Sequence, residues 1–232
     1  MRAFSIWRSV IRYILTPPST NYLYRKIDPA PYDFLPPYPL ILDIGSREAR
    51  GRYGFGDPPE GSRLLCVDIE DGPGVDVVAD AHDLHMFSND SVDCVLCVST
   101  LEHVRDPFAV VSEIFRILKP GGIIYLSIPF IFAYHGDPDD YYRFSFTGIK
   151  ILCQKFEIIE SGFTRGPAST MCDLLPRFLG IIFSFNSVRI YNLTRVFFAW
   201  VFVWLKFLDA VIARYSIAKV IHGDSFIIGR KP

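Results

Sequence analysis

Three carboxylates close three successive apolar runs, a pattern able to line one crevice with hydrogen-bond acceptors. The runs cover residues 40–44 (LILDI), 63–68 (RLLCVD) and 75–80 (VDVVAD), and a fourth, 92–99 (VDCVLCVS), follows. Their ends carry Asp43-Ile44-Gly45-Ser46, Asp68-Ile69, Asp80-Ala81 and Ser99-Thr100. In an open parallel sheet, ligands sit outside the carboxyl ends of the strands, where the strand order reverses. Gly45 lets the backbone approach a ligand where a Cβ would collide. An acid ending the second strand suits paired ribose hydroxyls, and Asp80 with the Ala81 amide suits the edge of an adenine. One strand-end acid is an ordinary terminator; three in sequence order point to a site.

The elements that position these residues follow from the same pattern. Apolar strands alternate with helices, which predicts a mostly parallel sheet covered on both faces. A helix is expected over 107–118, with Asp106 as N-cap, Pro107 at the first helical position, and Phe108, Val111, Phe115 and Leu118 as its buried stripe. Pro120-Gly121-Gly122 ends it before a fifth strand at 123–128. A polar loop over 134–143, a helix near 146–155 and strands at 156–159 and 225–228 complete the pattern. Upstream, residues 3–15 place Phe4, Trp7, Ile11 and Ile14 on one helical stripe, and the Pro-rich stretch 29–39 reads as an extended linker. The expected organisation is an amphipathic helix and linker over 1–36, a core over 37–165, an apolar helical insertion over 166–222, and the last strand of the core within 223–232.

Composition narrows the function classes. Fifty per cent of the 232 residues are hydrophobic, so the chain can bury a core. Lys and Arg number 24 against 25 Asp and Glu, and a net charge of -1 offers no global attraction to nucleic acid. Cys66, Cys94, Cys97, Cys153 and Cys172 lack zinc-finger spacing and read as buried hydrophobes of a reducing compartment; no metal site is expected. Cys94 and Cys97 belong on opposite faces of their strand. Arg8 and Arg12 interrupt any leader-like apolar core, which favours a cytoplasmic location.

The segments ILDIGS, LLCVDIE, VVADAHDL, NDSVDCVLCVSTLEHV and EIFRILKPGG, in this order between Ile41 and Phe130, resemble the class I S-adenosylmethionine-dependent methyltransferase family, type 11-like. HGDPDDYYRFSFTGIKIL resembles a bacterial subgroup associated with cell-surface polysaccharide pathways. The resemblance implies a Rossmann-like α/β fold with a seven-stranded, mostly parallel sheet, and S-adenosylmethionine as cofactor. Carried over by position, it implies Asp43, Gly45 and Ser46 at the amino-acid end of that cofactor and Asp68 and Ile69 at ribose and adenine. Asp80 and Ala81 would meet the adenine and Ser99 the methionine part, with Glu102 and His103 close by. One departure stands out: Arg47 occupies the second glycine position of the D-x-G-x-G pattern. It swings away, or Gly51 restores the turn, or the chain is a binding scaffold that has lost turnover. A nicotinamide oxidoreductase is disfavoured, because no G-x-G-x-x-G follows the first strand.

Methyl transfer from a sulfonium is an in-line displacement, so alignment supplies much of the acceleration. A base is needed only where the nucleophile carries a proton. His135 is the expected base or acceptor-orienting group, since neutral imidazole takes a proton near pH 7. Asp140 and Arg143 would orient a sugar or carboxylate acceptor, or else pair with each other and cap the next helix. The expected acceptor is a small molecule, a lipid-linked compound or a glycan. Residues 196–213 approach the length of a membrane span, but Lys206 and Asp209 interrupt them, and a single crossing would strand the last strand on the wrong side. The insertion instead suits peripheral contact with the inner face of the cell membrane, through aromatics such as Trp200 and Trp204 among basic residues. A helical lid or a dimer interface would account for the same pattern.

Overall fold

The computed structural model describes residues 18–19, 27–46, 51, 53–136 and 139–232. The amphipathic stripe expected over 3–15, Arg47 and Asp137 lie outside them. Two compact units divide the chain, one built mainly from Arg25–Phe130, Tyr134–Thr164 and Asp224–Pro232, the other centred on Arg165–Gly223.

The first unit is a seven-stranded sheet. Its strands are β1 (Leu40–Ile44), β2 (Arg63–Asp68), β3 (Val77–Val78), β4 (Val92–Val98), β5 (Leu118–Pro129), β6 (Glu157–Phe163) and β7 (Asp224–Arg230). They lie in the order β3-β2-β1-β4-β5-β7-β6. Strands β1 to β5 pair in parallel, and β7 runs antiparallel to both β5 and β6. This is the Rossmann-like α/β arrangement expected from the alternation of apolar strands and helices.

Side-chain alternation divides the core between the two faces. Leu42, Val95 and Cys97 pack on one side, Ile41, Cys94 and Leu96 on the other. The two cysteines of the CxxC therefore face opposite ways, and all five cysteines are buried, none of them in a disulfide. The Pro-rich stretch is more than a linker: Pro31–Phe34 forms a turn of 3-10 helix, and Ile27, Ala30 and Tyr32 pack against Ile41, Leu96 and Phe226. Their apolar side chains close a sheet face that would otherwise be open to water.

Helix α1 (Pro107–Ile117) starts as expected, with the Asp106 carboxylate accepting from Ala109 N at 3.0 Å. Its buried stripe differs. Pro107, Val110, Val111, Ile114 and Ile117 face the core, while Phe108 is half exposed. The sequence contains two overlapping apolar stripes, and the wider one, with five members, wins. Strand β5 begins at Leu118, so Pro120-Gly121-Gly122 is an irregularity within it, where pairing jumps from Val92↔Leu118 to Cys94↔Ile123. Helix α2 (Phe146–Leu152) is shorter than expected, and β6 extends to Phe163. Ser161 and Gly162 hid that extension, but Gly162 pairs with Phe226, whose ring lies where a Cβ would stand, at 2.9 Å.

The second unit contains helices α3 (Pro167–Ile182) and α4 (Val188–Phe202), followed by a 3-10 segment, Val203–Leu208. The helices cross closely at Gly180, where a Cβ would lie 3.2 Å from the Tyr191 ring. Asp209 is fully buried and accepts from Ala168 N at 2.9 Å and Ser169 N at 2.8 Å, capping α3 from forty residues away. The apolar run 196–213 is thus split between α4, the 3-10 segment and a short turn. Among the described residues no helix is long and apolar enough to cross a membrane.

Candidate active site

Crossovers leave β1 and β4 in opposite directions, which opens a crevice at their carboxyl ends. A cavity of about 680 Å³ lies there, within the range of small-molecule sites. Gly45, Asp68, Ile69, Asp80, Ala81, Ser99, His103 and His135 all line it. Of the thirteen predicted site residues, Asp43, Ser46, Glu102, Asp140 and Arg143 are not part of its lining.

Gly45 turns the chain out of β1 with φ +74°, its N–H donating to Val67 O at 2.8 Å. A Cβ there would collide with Thr100 Oγ1, so the turn requires glycine. Thr100, named as a strand end but given no role by sequence reasoning, locks the two strand ends together by donating to Ile44 O at 3.0 Å. Ser99 adopts the left-handed region at φ +50°, uncommon for a residue with a side chain.

Asp43 is fully buried and accepts from Gly51 N at 2.6 Å and Tyr53 Oη at 2.7 Å. Tyr32 Oη donates to Gly51 O at 2.8 Å. The Gly51 N–H is therefore tied to β1 and its carbonyl to the 3-10 turn, and Gly51 sits at φ +72°. Burial, and then the neighbouring Asp43 carboxylate, push the Tyr53 hydroxyl far above its ordinary pKa, so it remains a donor. Next to Gly45, Ser46 Oγ is buried without a hydrogen-bond partner.

Asp68 closes β2 and accepts from Glu70 N at 3.0 Å. Asp80 accepts from His82 N at 2.9 Å and contacts His82 Nδ1 at 2.6 Å. The His82 amide, more than its ring, holds the Asp80 carboxyl below its ordinary range. Ile69 sits on the rim and is largely exposed.

The opposite end of the cavity is built from the turn after β4 and the polar loop. Tyr141 N and Tyr142 N donate to Glu102 O at 2.7 and 3.3 Å, folding the loop over that turn. Glu102 is fully buried, and burial pushes its carboxyl up to about 8. His103 Nε2 and His135 Nε2 each lie 3.8 Å from Glu102 Oε1. Behind His135, Asp140 accepts from the His135 amide at 2.9 Å and is gripped by both terminal nitrogens of Arg143. Arg143 holds the Asp140 carboxyl down at about 2. The expected pairing of Asp140 with Arg143 is present; the cap of α2 is Ser145, whose Oγ accepts from Gly148 N at 3.2 Å. Tyr141 and Asp139 also line the cavity. No local sequence pattern marks them, because the contact spans some forty residues.

Residues 48–126 match the methyltransferase domain family. A ubiquinone biosynthesis O-methyltransferase of Xanthomonas axonopodis pv. citri (strain 306) is 42% identical over 127 residues, half of each chain. One from Pectobacterium atrosepticum is 37% identical over 101 residues, 38% of this chain and 41% of the relative. For a third, from Xanthomonas oryzae pv. oryzae (strain PXO99A), the 44% identity covers 22% of this chain and 21% of the relative. The chain thus spans between about a fifth and a half of the curated relatives it matches. A chain from the complex of the Haloferax volcanii Trm112 methyltransferase activator with its provisionally named methyltransferase superposes with a TM-score of 0.52 at 18% identity, covering 87% of both chains. A provisionally named methyltransferase of Bacillus halodurans C-125 gives 0.50 at 15% identity, covering 85% of this chain and 94% of its own. At these identities the likeness is one of fold.

Proposed function

We propose that the protein is an S-adenosylmethionine-dependent methyltransferase. The observation that carries this reading is the cavity at the carboxyl ends of β1, β2 and β4, with acids at one end and imidazoles at the other, lined largely by residues of the matched stretch. The donor set fits the cofactor. Asp68 accepts from hydroxyls, Ile69 and Ala81 offer apolar walls to a base, and Asp80 accepts from an amine. The unpartnered Ser46 Oγ beside Gly45 is a polar group that an amino-acid moiety would satisfy. When bound, the cofactor supplies an activated methyl group. The protein contributes alignment: the tether of Asp43 to Gly51 and Tyr53 holds the loop beyond Gly45 in place. At the far end His135, backed by Asp140 and Arg143, orients the nucleophile of an acceptor and favours loss of its proton.

The acceptor is read as a small molecule, lipid-linked compound or glycan bearing a nucleophilic oxygen. The relatives' names as O-methyltransferases support oxygen. The lipid-linked case goes with a second proposed reading, peripheral contact of Arg165–Gly223 with an anionic membrane surface. That segment carries seven Arg and Lys against two Asp, and exposes Phe178, Ile181, Phe185, Phe197 and Trp204. Basic residues around an apolar aromatic surface favour anionic bilayers.

Calorimetry with S-adenosylhomocysteine tests the cofactor reading. The wild type is expected to bind, and Asp68→Ala to bind at least tenfold more weakly. Folded wild type that binds none of it refutes the reading. Flotation with phosphatidylglycerol vesicles tests the membrane reading; equal recovery with phosphatidylcholine alone, or none with either, refutes it.

A further inference from the structure

Glu102 presents a problem that the methyltransferase reading does not solve. Its side chain is fully buried, yet neither carboxylate oxygen has a hydrogen-bond partner. Burying such a group without a donor is costly. What faces it are two imidazoles, with His103 Nε2 and His135 Nε2 both 3.8 Å from Oε1, beyond hydrogen-bond distance. The rings are perpendicular, with centroids 5.0 Å apart.

The far side of the His103 ring is held by an acceptor, and that of the His135 ring by an ion pair. His103 Nδ1 lies 2.5 Å from the Asp139 carbonyl oxygen, which only accepts, so Nδ1 carries the proton and Nε2 presents its lone pair. His135 Nδ1 lies 3.3 Å from Asp140 Oδ2 and 3.4 Å from Arg143 Nη2, so that ring is held by the Asp140–Arg143 pair. Metal-ligating histidines are held as His103 is: the remote ring nitrogen donates to a carbonyl or carboxylate, which fixes tautomer and orientation.

We propose that Glu102, His103 and His135 form a binding site for a divalent transition-metal ion. Their ligand atoms all lie within 4.8 Å of one another, and modest side-chain adjustment brings them to the ~2.0–2.2 Å distances of nitrogen and oxygen ligands. Two imidazoles and one carboxylate suit Zn²⁺, Mn²⁺ or Fe²⁺ better than Mg²⁺ or Ca²⁺, which take oxygen-rich sets. The ion neutralises the orphaned carboxylate. Because His103 and His135 line the cavity while Glu102 stands behind them, the remaining position opens into the cavity. Three protein ligands and one open position are the arrangement of catalytic rather than structural sites. On the proposed methyltransferase reading, that position takes the acceptor oxygen, and His135 orients the acceptor through the ion.

The test is calorimetric titration of chelator-stripped full-length protein with ZnCl₂ and with MnCl₂, with visible absorption of the CoCl₂-loaded protein as a second readout. One ion per chain is expected, with Co²⁺ bands of a four- or five-coordinate site. Glu102→Gln and, separately, His103→Ala are expected to weaken binding at least tenfold, each compared after its thermal melt shows a folded protein. Absence of binding at millimolar metal overturns the site, as does one-to-one binding that both variants keep. S-adenosylhomocysteine binding by the stripped wild type is measured in parallel. Loss of metal binding with cofactor binding intact refutes only the metal site, and the reverse refutes only the cofactor reading.

Discussion

Strand β4 and helix α4 are both rich in apolar residues, and the chain treats them in opposite ways. In β4, every residue from Val92 to Cys97 is buried, and Cys94, Val95, Leu96 and Cys97 have no exposed surface. In α4 only Ala199 is buried, while Phe197 is 62% exposed. A central strand is covered by neighbours on both sides and by layers on both faces. A helix has one stripe to bury, and α4 carries apolar residues around more of its circumference than α3 covers. The sheet's apolar content is consumed by folding. That of the helical unit remains available to an outside surface.

The sharpest way to break this contrast is to remove one apolar side chain from each region. Leu96→Ala creates a cavity in a filled core and is expected to cost about 2–5 kcal/mol in urea unfolding. Phe197→Ser is expected to stay within about 0.5 kcal/mol, as for surface substitutions. Comparable losses at the two sites would mean that the face of α4 is covered, and the membrane reading would lose its basis.

The same contrast explains what the sequence revealed. The strands that carry the site were legible because apolar runs ending in Asp43, Asp68 and Asp80 are local signals with a fixed period. Eight of the thirteen predicted residues line one cavity, because strand ends in a parallel sheet share an edge. The buried stripe of α1 was misread, since two overlapping stripes satisfy the same helical period and only the sheet chooses between them. The support of His135 by Asp140 was readable only as a local pair. The meeting of Glu102 with two histidines was not readable at all, because it depends on the loop hydrogen bonds from Tyr141 and Tyr142 to Glu102 O.

Within the helical unit, Asp209 offers a smaller effect of a different kind. It accepts from the amides of Ala168 and Ser169 inside a buried environment. Asp209→Ala leaves both donors unsatisfied and is expected to cost about 1–3 kcal/mol. Hydrogen exchange is the sharper readout: protection is expected to fall in the first turn of α3 and to stay unchanged in β4. Equal loss in both would show that the two regions do not unfold separately.

The smallest expected effect belongs to the sheet unit and is set by pH. Glu113 accepts from Arg116 Nε at 2.9 Å, Arg116 Nη2 at 2.8 Å and Leu84 N at 3.2 Å. Arg116 also donates to Leu84 O and Phe87 O, both at 3.0 Å, so the pair ties α1 to the loop that follows Asp80. The Arg116 hydrogen bonds hold the Glu113 carboxyl below its ordinary 4.5. A lowered folded pKa stabilises the fold above the unfolded value, and the gain is lost as pH falls through the folded one. Both side chains are about a quarter exposed, which weakens the pair by solvent screening. Glu113→Gln is therefore expected to cost about 0.5–1 kcal/mol at pH 7 and to match the wild type more closely near pH 3. A deficit that is unchanged between those pH values would assign the cost to lost hydrogen-bond geometry rather than to charge.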